Sequence, residues 1–326
     1  MADSAPSHPA DSIEIRHIVA AEYPAVVRLI NAADAVDGAD DSTSEAEFRH
    51  WVASPTNAGC QFVAVAPGGA IVGYGDVHHQ PGDDGAWGWV VVDPAWRLQG
   101  LGTQLADCVR EHARSMAVLW IDFAVDVRLV EANRWLESLG YEPVRTYTRL
   151  RLGAADHVPL PDYPEGFTIR TFRTGADEAT VCDILNLSFA DHRNANVVSV
   201  EDMRNNLNRP GFQPDGLFLA ETAEGEIAGL CWCQINEDEI ARRGEQVGWI
   251  NDLGVAPAYR RAGLGRALLR GGIAWLRDQG MSFVDLWVEG SNKEARTLYT
   301  ATGFTVHKTV TDYRHYLHAA PGTSYR

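Results

Sequence analysis

Lysine is almost missing from this chain of 326 residues: Lys293 and Lys308 are the only two, and the rest of its 28 basic residues are arginine. Guanidinium groups bind phosphate bidentately, which would give the arginine excess a use; biased codon usage would give the same excess. Positive charge is short as a whole. The 44 Asp and Glu outweigh the basic residues and leave a net charge of −16. Neutralising nucleic-acid phosphates or an anionic membrane takes a basic face, so neither nucleic acid nor membrane is expected as a partner. Cysteine is sparse, at five, and no C-x-x-C pair occurs. Cys231 and Cys233 sit two apart in an apolar strand and so point to one face. Buried thiols are the expectation there, with a metal or redox pair as the alternative. No apolar run approaches the roughly 20 residues of a membrane span. Residues 1–12 lack the basic and apolar regions of a signal peptide. The chain therefore reads as cytoplasmic, with a disordered tail over 1–12.

What the chain does have is a long-period repeat. Val92–Leu105 reads VDPAWRLQGLGTQL and Val255–Leu268 reads VAPAYRRAGLGRAL, with eight of 14 positions identical at an offset of 163. Gly140-Tyr141 and Gly303-Phe304 share that offset. Earlier matches are closer together: Ile15-Arg16 with Ile169-Arg170 at 154, and Phe62 with Phe218 at 156. The 7-residue step from 156 to 163 falls in the charged run between Cys233 and Val247, which predicts a longer hairpin loop in the second copy. Gly153 to Gly166 holds three prolines and no helical period, and reads as a linker. The division expected is an N-terminal lobe over 13–153, a linker over 154–166 and a C-terminal lobe over 167–320. Each lobe reads as a strand, helical segments, a hairpin, an apolar strand, a glycine turn with a helix, then strand, helix, strand. That order predicts an α+β fold in which each lobe is a mixed, partly antiparallel sheet flanked by helices.

The element that carries chemistry is Arg260-Arg261-Ala262-Gly263-Leu264-Gly265-Arg266, directly after an apolar strand and opening a helix. A helix N-terminus exposes unpaired N–H groups and partial positive charge. Glycines let an anion approach the backbone, so a pyrophosphate suits the turn. The first lobe repeats it as Arg97-Leu98-Gln99-Gly100-Leu101-Gly102-Thr103. The spacing is neither a dinucleotide fingerprint nor a nucleotide-triphosphate loop.

The turn closely resembles the R/Q-x-x-G-x-G/A motif of the GCN5-related N-acetyltransferase (GNAT) superfamily. The resemblance implies that both turns contact the pyrophosphate of acetyl coenzyme A. It also implies a bulged preceding strand whose backbone binds the pantetheine arm, here Leu253-Gly254-Val255 and, in the first lobe, Val90-Val91-Val92. Gly254 inside a strand is itself a bulge signal. The family's next motif, N-x-x-A-x-x-x-Y-x-x-x-G-F, is complete as Asn292, Ala295, Tyr299, Gly303 and Phe304. By resemblance Asn292 belongs with the cofactor and Tyr299 protonates the departing thiolate sulfur. In the first lobe the same offset gives Leu129 and Leu136. Leucine cannot donate a proton, so the second lobe is expected to be catalytic. The base is open between Asp252, Glu289 and Glu245, with Asp252 first. Trp87, Trp89, Trp249 and Trp287 are expected in the core, or as an aromatic wall for the acceptor.

Tandem lobes with an eroded first copy are similar to mycothiol synthase-like acetyltransferases, which act on a cysteinyl amine. Trp249 departs from that group, standing where its central-strand glutamate is expected. The reading is acetyl-CoA-dependent N-acetylation of a small-molecule amine by a monomer or homodimer. Mycothiol synthesis itself, or acyl-CoA binding without turnover, are the alternatives. No metal is expected.

Overall fold

The computed structural model describes residues 13–39, 42–54, 57, 59–80, 82–189, 198–207 and 212–317. The tail expected over 1–12 and the end of the second lobe beyond Leu317 lie outside them. The chain divides into two compact units, Met1–Arg145 with Val310–Arg326, and Thr146–Thr309. These differ from the division expected at 153 and 167, because the last strand of each sequence copy is built into the other unit.

Unit 1 contains β1 (Glu14–His17), α1 (Tyr23–Asp37), α2 (Glu45–Ala53), β2 (Gln61–Val65), β3 (Ile71–His78), β4 (Gly85–Val92), α3 (Leu101–Ser115), β5 (Trp120–Asp126), α4 (Val130–Ser138) and the start of β6 (Glu142–Gly153). Unit 2 contains the rest of β6, then β7 (Phe167–Thr171), α5 (Glu178–Phe189), α6 (Val200–Leu207), β8 (Leu217–Thr222), β9 (Ile227–Ile235), α7 (Glu237–Arg243), β10 (Val247–Val255), α8 (Leu264–Asp278), β11 (Phe283–Glu289), α9 (Lys293–Thr302) and the start of β12 (Thr305–Tyr316). Among the described residues no helix is long and apolar enough to cross a membrane.

Each unit is a mixed sheet with helices on both faces. In unit 1, β1 to β4 pair antiparallel in sequence order, β4 pairs β5 parallel, and β5 is closed by β12 over Val310–Tyr316. In unit 2, β7 to β10 repeat the pattern, β10 pairs β11 parallel, and β11 is closed by β6 over Tyr147–Gly153.

Repeated charge pairs mark the exchange. In unit 1 the fully buried Asp122 on β5 takes both oxygens to Arg314 on β12, at 2.8 Å each, and the Arg314 guanidinium lies 3.5 Å from the Trp120 ring centre. In unit 2 the fully buried Asp285 on β11 takes Arg151 of β6 at 2.8 and 2.9 Å, and Arg151 lies 4.7 Å from the Phe283 ring centre. Asp122 and Asp285, Arg151 and Arg314, and Trp120 and Phe283 are each 163 apart. The two bonds are thus one bond used twice, each joining residues from different copies. Unit 2 adds Arg149, also fully buried, whose Nε donates to Asp285 Oδ2 at 2.7 Å.

The helix after the turn shows why these residues fold this way. α8 buries Leu264, Ala267, Leu268, Gly271, Gly272, Ile273 and Leu276, a stripe at helical spacing. Gly272 lets the helix close on β9, since a Cβ there would fall 2.7 Å from Cys231 Sγ and 2.8 Å from Cys233 Sγ. Both thiols are buried and free, on one face as the spacing predicts. α3 buries Leu101, Leu105, Ala106, Val109 and Ala113 in the same manner.

Candidate active site

The site in unit 2 forms where β10 and β11 stop pairing. Their parallel register runs only from Val247↔Phe283 to Trp249↔Asp285, although β10 continues to Val255 and β11 to Glu289. The next residues of β10 therefore have no ladder partner on that side. On its other side β10 is bulged: Ile250 faces Cys233 and Asp252 faces Trp232, leaving Asn251 as the extra residue. The bulge is thus at Asn251, not at Gly254 as the glycine suggests. Gly254 is in regular register with Leu230, and its small size serves packing: a Cβ would come 2.8 Å from Ser188 of α5.

The bulge also resolves the change in repeat offset. His78 faces Trp87 and Gln234 faces Trp249, so the loop expected to be seven residues longer is six longer, and Asn251 is the seventh. The loop itself folds into α7, capped by the Asn236 side chain on Glu239 N at 3.1 Å and ended by Gly244 at φ +68°. In unit 1, β4 pairs with β3 without irregularity through Val90, Val91 and Val92.

The glycine turns share one conformation. Arg261 (φ +67°) and Gly263 (φ +87°) match Leu98 (φ +60°) and Gly100 (φ +84°). The amides of a first helical turn have no intrahelical partner, and in neither α8 nor α3 does a capping side chain take them. At Gly265 the nearest atom a Cβ would meet is Val255 Cγ2 at 3.5 Å, so packing within the chain does not demand glycine there. The turn is open to a group approaching from outside. The two turns differ in charge. All three arginines of the turn are exposed, but Arg260 is engaged within the chain, donating to Val255 O at 3.1 Å and Ser188 O at 2.9 Å, whereas Arg261 and Arg266 make no such bond among the described residues. Arg97 repeats the first bond, to Val92 O at 3.2 Å, and its other nitrogens are paired with Asp37 at 2.6 and 3.0 Å. Leu98 and Thr103 replace the two free arginines. The Trp135 indole donates to Thr103 Oγ1 at 3.0 Å and lies beside Gly102, over the first turn of α3.

Tyr299 on α9 is 8% exposed and stands edge-on to Phe304, with ring centres 5.9 Å apart. Burial raises its hydroxyl above the ordinary phenol value, and the charge of Asp252 adds to the effect. Asp252 is half-buried, and burial pushes its carboxyl up to about 6. Asp252 and Tyr299 are thus within electrostatic reach of each other. Glu289 is drawn off to the start of α9, where it accepts from Ser291 Oγ at 2.9 Å. Glu245 is paired with Arg151 at 3.0 Å. Asn292 caps α9, its Oδ1 accepting from Ala295 N at 3.0 Å. Leu129, its counterpart, makes no side-chain cap on α4.

The sheet face that carries Asp252 also carries Trp249 and Trp287. Trp249 donates its indole N–H to Glu239 at 2.9 Å, with the Arg149 guanidinium 4.6 Å from its ring centre. Trp287 is 41% exposed, so it is not a core residue. Arg149, Arg151 and Asp285 went unnoticed in the sequence. The 163 offset between the two Asp and between Arg151 and Arg314 is the signal that finds them.

The family model for the acetyltransferase (GNAT) family matches residues 15–141 and again 181–304. The chain belongs to the GNAT acetyltransferase family. It is accordingly an N-acetyltransferase with acetyl-CoA as donor. Relatives named mycothiol acetyltransferase include one from Thermomonospora curvata, 37% identical over 73% of this chain and 76% of its own length. Another, from Thermobispora bispora, is 31% identical over 90% of this chain and 95% of its own. Among solved structures, a GCN5-related N-acetyltransferase from Sphaerobacter thermophilus superposes with a TM-score of 0.78 at 27% identity, over 95% of this chain and 97% of that one. A tandem GNAT protein from the clavulanic acid biosynthesis pathway gives a TM-score of 0.71 at 18% identity, over 94% and 99%, and shares the fold.

Proposed function

We propose that unit 2 acetylates the primary amine of a small molecule by direct transfer from acetyl-CoA, with Asp252 as base and Tyr299 as acid. The observation that carries this reading is Asp252 itself: a half-buried carboxylate beside the bulge, with its proton affinity raised to about 6. A base poised near the working pH both exists in its ionised form and accepts a proton readily. The amine nitrogen attacks the thioester carbonyl carbon. A C–N bond forms, Asp252 takes the amine proton, the C–S bond breaks and Tyr299 returns a proton to the sulfur. The raised Tyr299 hydroxyl stays protonated at neutral pH, and the thiolate it serves is released into the same desolvated place. The first-turn amides of α8 with Arg261 and Arg266 hold the pyrophosphate, and the edge of Leu253-Gly254-Val255 that has lost its β11 partner holds the pantetheine arm.

The exposed Trp287 and the half-buried Trp249 form an aromatic wall for the acceptor on the Asp252 face. The names of the relatives make the amine precursor of mycothiol the first acceptor to test. In unit 1, Leu136 in place of Tyr299, the absent bulge, the loss of free arginines and the Trp135 indole over α3 support a structural part. Thiol release from acetyl-CoA against an amine panel tests the reading. Turnover that falls at least tenfold in both Tyr299→Phe and Asp252→Asn is the expected result; full activity in both variants overturns the assignment.

A further inference from the structure

Unit 1 keeps a carboxylate at the place related to Asp252 by the repeat, on the other strand. In unit 2 Asp252 of β10 lies directly across from Trp232 of β9. In unit 1 Asp76 of β3 lies directly across from Trp89 of β4. Asp76 and Trp232 are 156 apart and Trp89 and Asp252 are 163 apart, so the acid and the indole have changed strands while the pair has stayed.

Asp76 is 1% exposed, and among the described residues no arginine pairs with it. Its Oδ2 accepts from Trp51 Nε1 at 3.0 Å and from the Tyr74 hydroxyl at 2.9 Å. Its Oδ1 is buried with no partner among the described residues, and so is Nδ1 of His78, two residues along the same face. Burial raises Asp76 to about 6 and lowers His78 to about 4. At neutral pH the pair is therefore an anionic carboxylate, which can only accept, and a neutral imidazole, whose Nδ1 accepts when the ring proton is on Nε2. Aromatic rings surround them. Trp51 stands edge-on to His78 at 4.8 Å, His78 stacks on Trp87 at 5.6 Å, and Tyr74 stands edge-on to Trp89 at 5.8 Å. Trp51 is 36% exposed, so the cluster reaches solvent.

A buried acid with an orphaned oxygen calls for a donor that also carries positive charge. Indole faces attract the same kind of group. We propose that the Asp76–His78–Trp51 cluster of unit 1 is a binding site for a small alkylammonium ion, held there without being acetylated. One N–H of the ammonium serves Asp76 Oδ1, another serves His78 Nδ1, and its alkyl part lies against Trp51 and Trp87. Leu136 stands in this unit where unit 2 has Tyr299, so the site lacks the acid proposed for turnover.

The test is a tryptophan-fluorescence titration of the full chain with n-butylammonium chloride, matched for ionic strength with sodium chloride and compared with neutral 1-pentanol. In an Asp252→Asn background the raised carboxylate of unit 2 is absent, so a saturable change that the unit 1 substitutions weaken is read from unit 1 whether or not Asp252 is the base. The expected result is a saturable change with butylammonium only, at least tenfold weaker in Asp76→Asn and in Trp51→Ala. Trp51 is partly exposed, and Tyr74 still donates to Asp76 Oδ2 when the indole is removed, so Trp51→Ala covers the case in which Asp76→Asn does not fold. A titration equal to the salt control, or a saturable change that survives both substitutions, overturns the proposal.

Discussion

Asp252 and Asp76 are both carboxylates held up near 6 by burial, and the sign of that shift has two consequences. For Asp252 the ionised form is the active one. The kcat/KM should therefore rise with pH through about 6 and level off above it, and Asp252→Asn should remove that limb along with most of the rate. A pH profile with no inflection below 7 would assign the base elsewhere. For Asp76 the consequence is stability. The folded chain holds this proton more tightly than the unfolded chain, so between about 4 and 6 stability falls as pH rises, and the loss is complete above that window. Asp76→Asn, which has no proton to lose, should gain on the parent in melting temperature between pH 4.5 and pH 7.5.

At the scale of elements, α9 and the turn before α8 make separable predictions. Asn292 caps α9, so Asn292→Ala should lower stability by about 1 kcal/mol in chemical denaturation. Gly263 sits at φ +87°, where a side chain strains the backbone. Gly263→Ala should raise the KM for acetyl-CoA more than it lowers kcat. The turn was legible in the sequence because its glycines and its place after an apolar strand serve local geometry, and local geometry repeats. The strand order was legible for the same reason. The bulge was not: Gly254 drew attention to itself, yet its small size is explained by Ser188 of α5, and only the ladder reveals Asn251. The fate of Arg260 was equally hidden, since a guanidinium next to a glycine turn reads as a phosphate ligand until its bonds to Val255 O and Ser188 O are seen. Among the carboxylates, sequence put Asp252 first but could not tell that Glu245 is drawn to Arg151 and Glu289 to Ser291.

At the scale of the molecule, the repeat in sequence and the unit in space are cut at different places. Residues 146–309 contain every strand of unit 2, whereas 167–320 lacks β6 and with it Arg149 and Arg151. The fragment cut at the sequence repeat is thus the poorer one in structure. A chain of 146–309 should unfold cooperatively in urea, and one of 167–320 should not. Asp285→Asn should be far more damaging than a surface change, since it removes the carboxylate that faces the buried Arg149 guanidinium and Arg151, an effect of about 3–5 kcal/mol for a broken buried pair.

The exchanged strands also set an order of assembly. The ribosome makes residues 146–309 as one block, so unit 2 can close as soon as that block has emerged. Unit 1 begins to emerge first, yet its sheet waits for Val310–Tyr316 to reach β5, which was synthesised far earlier. The half of the chain that is born first is therefore the last to be finished, and during synthesis β5 stands as an open edge awaiting the end of its own chain.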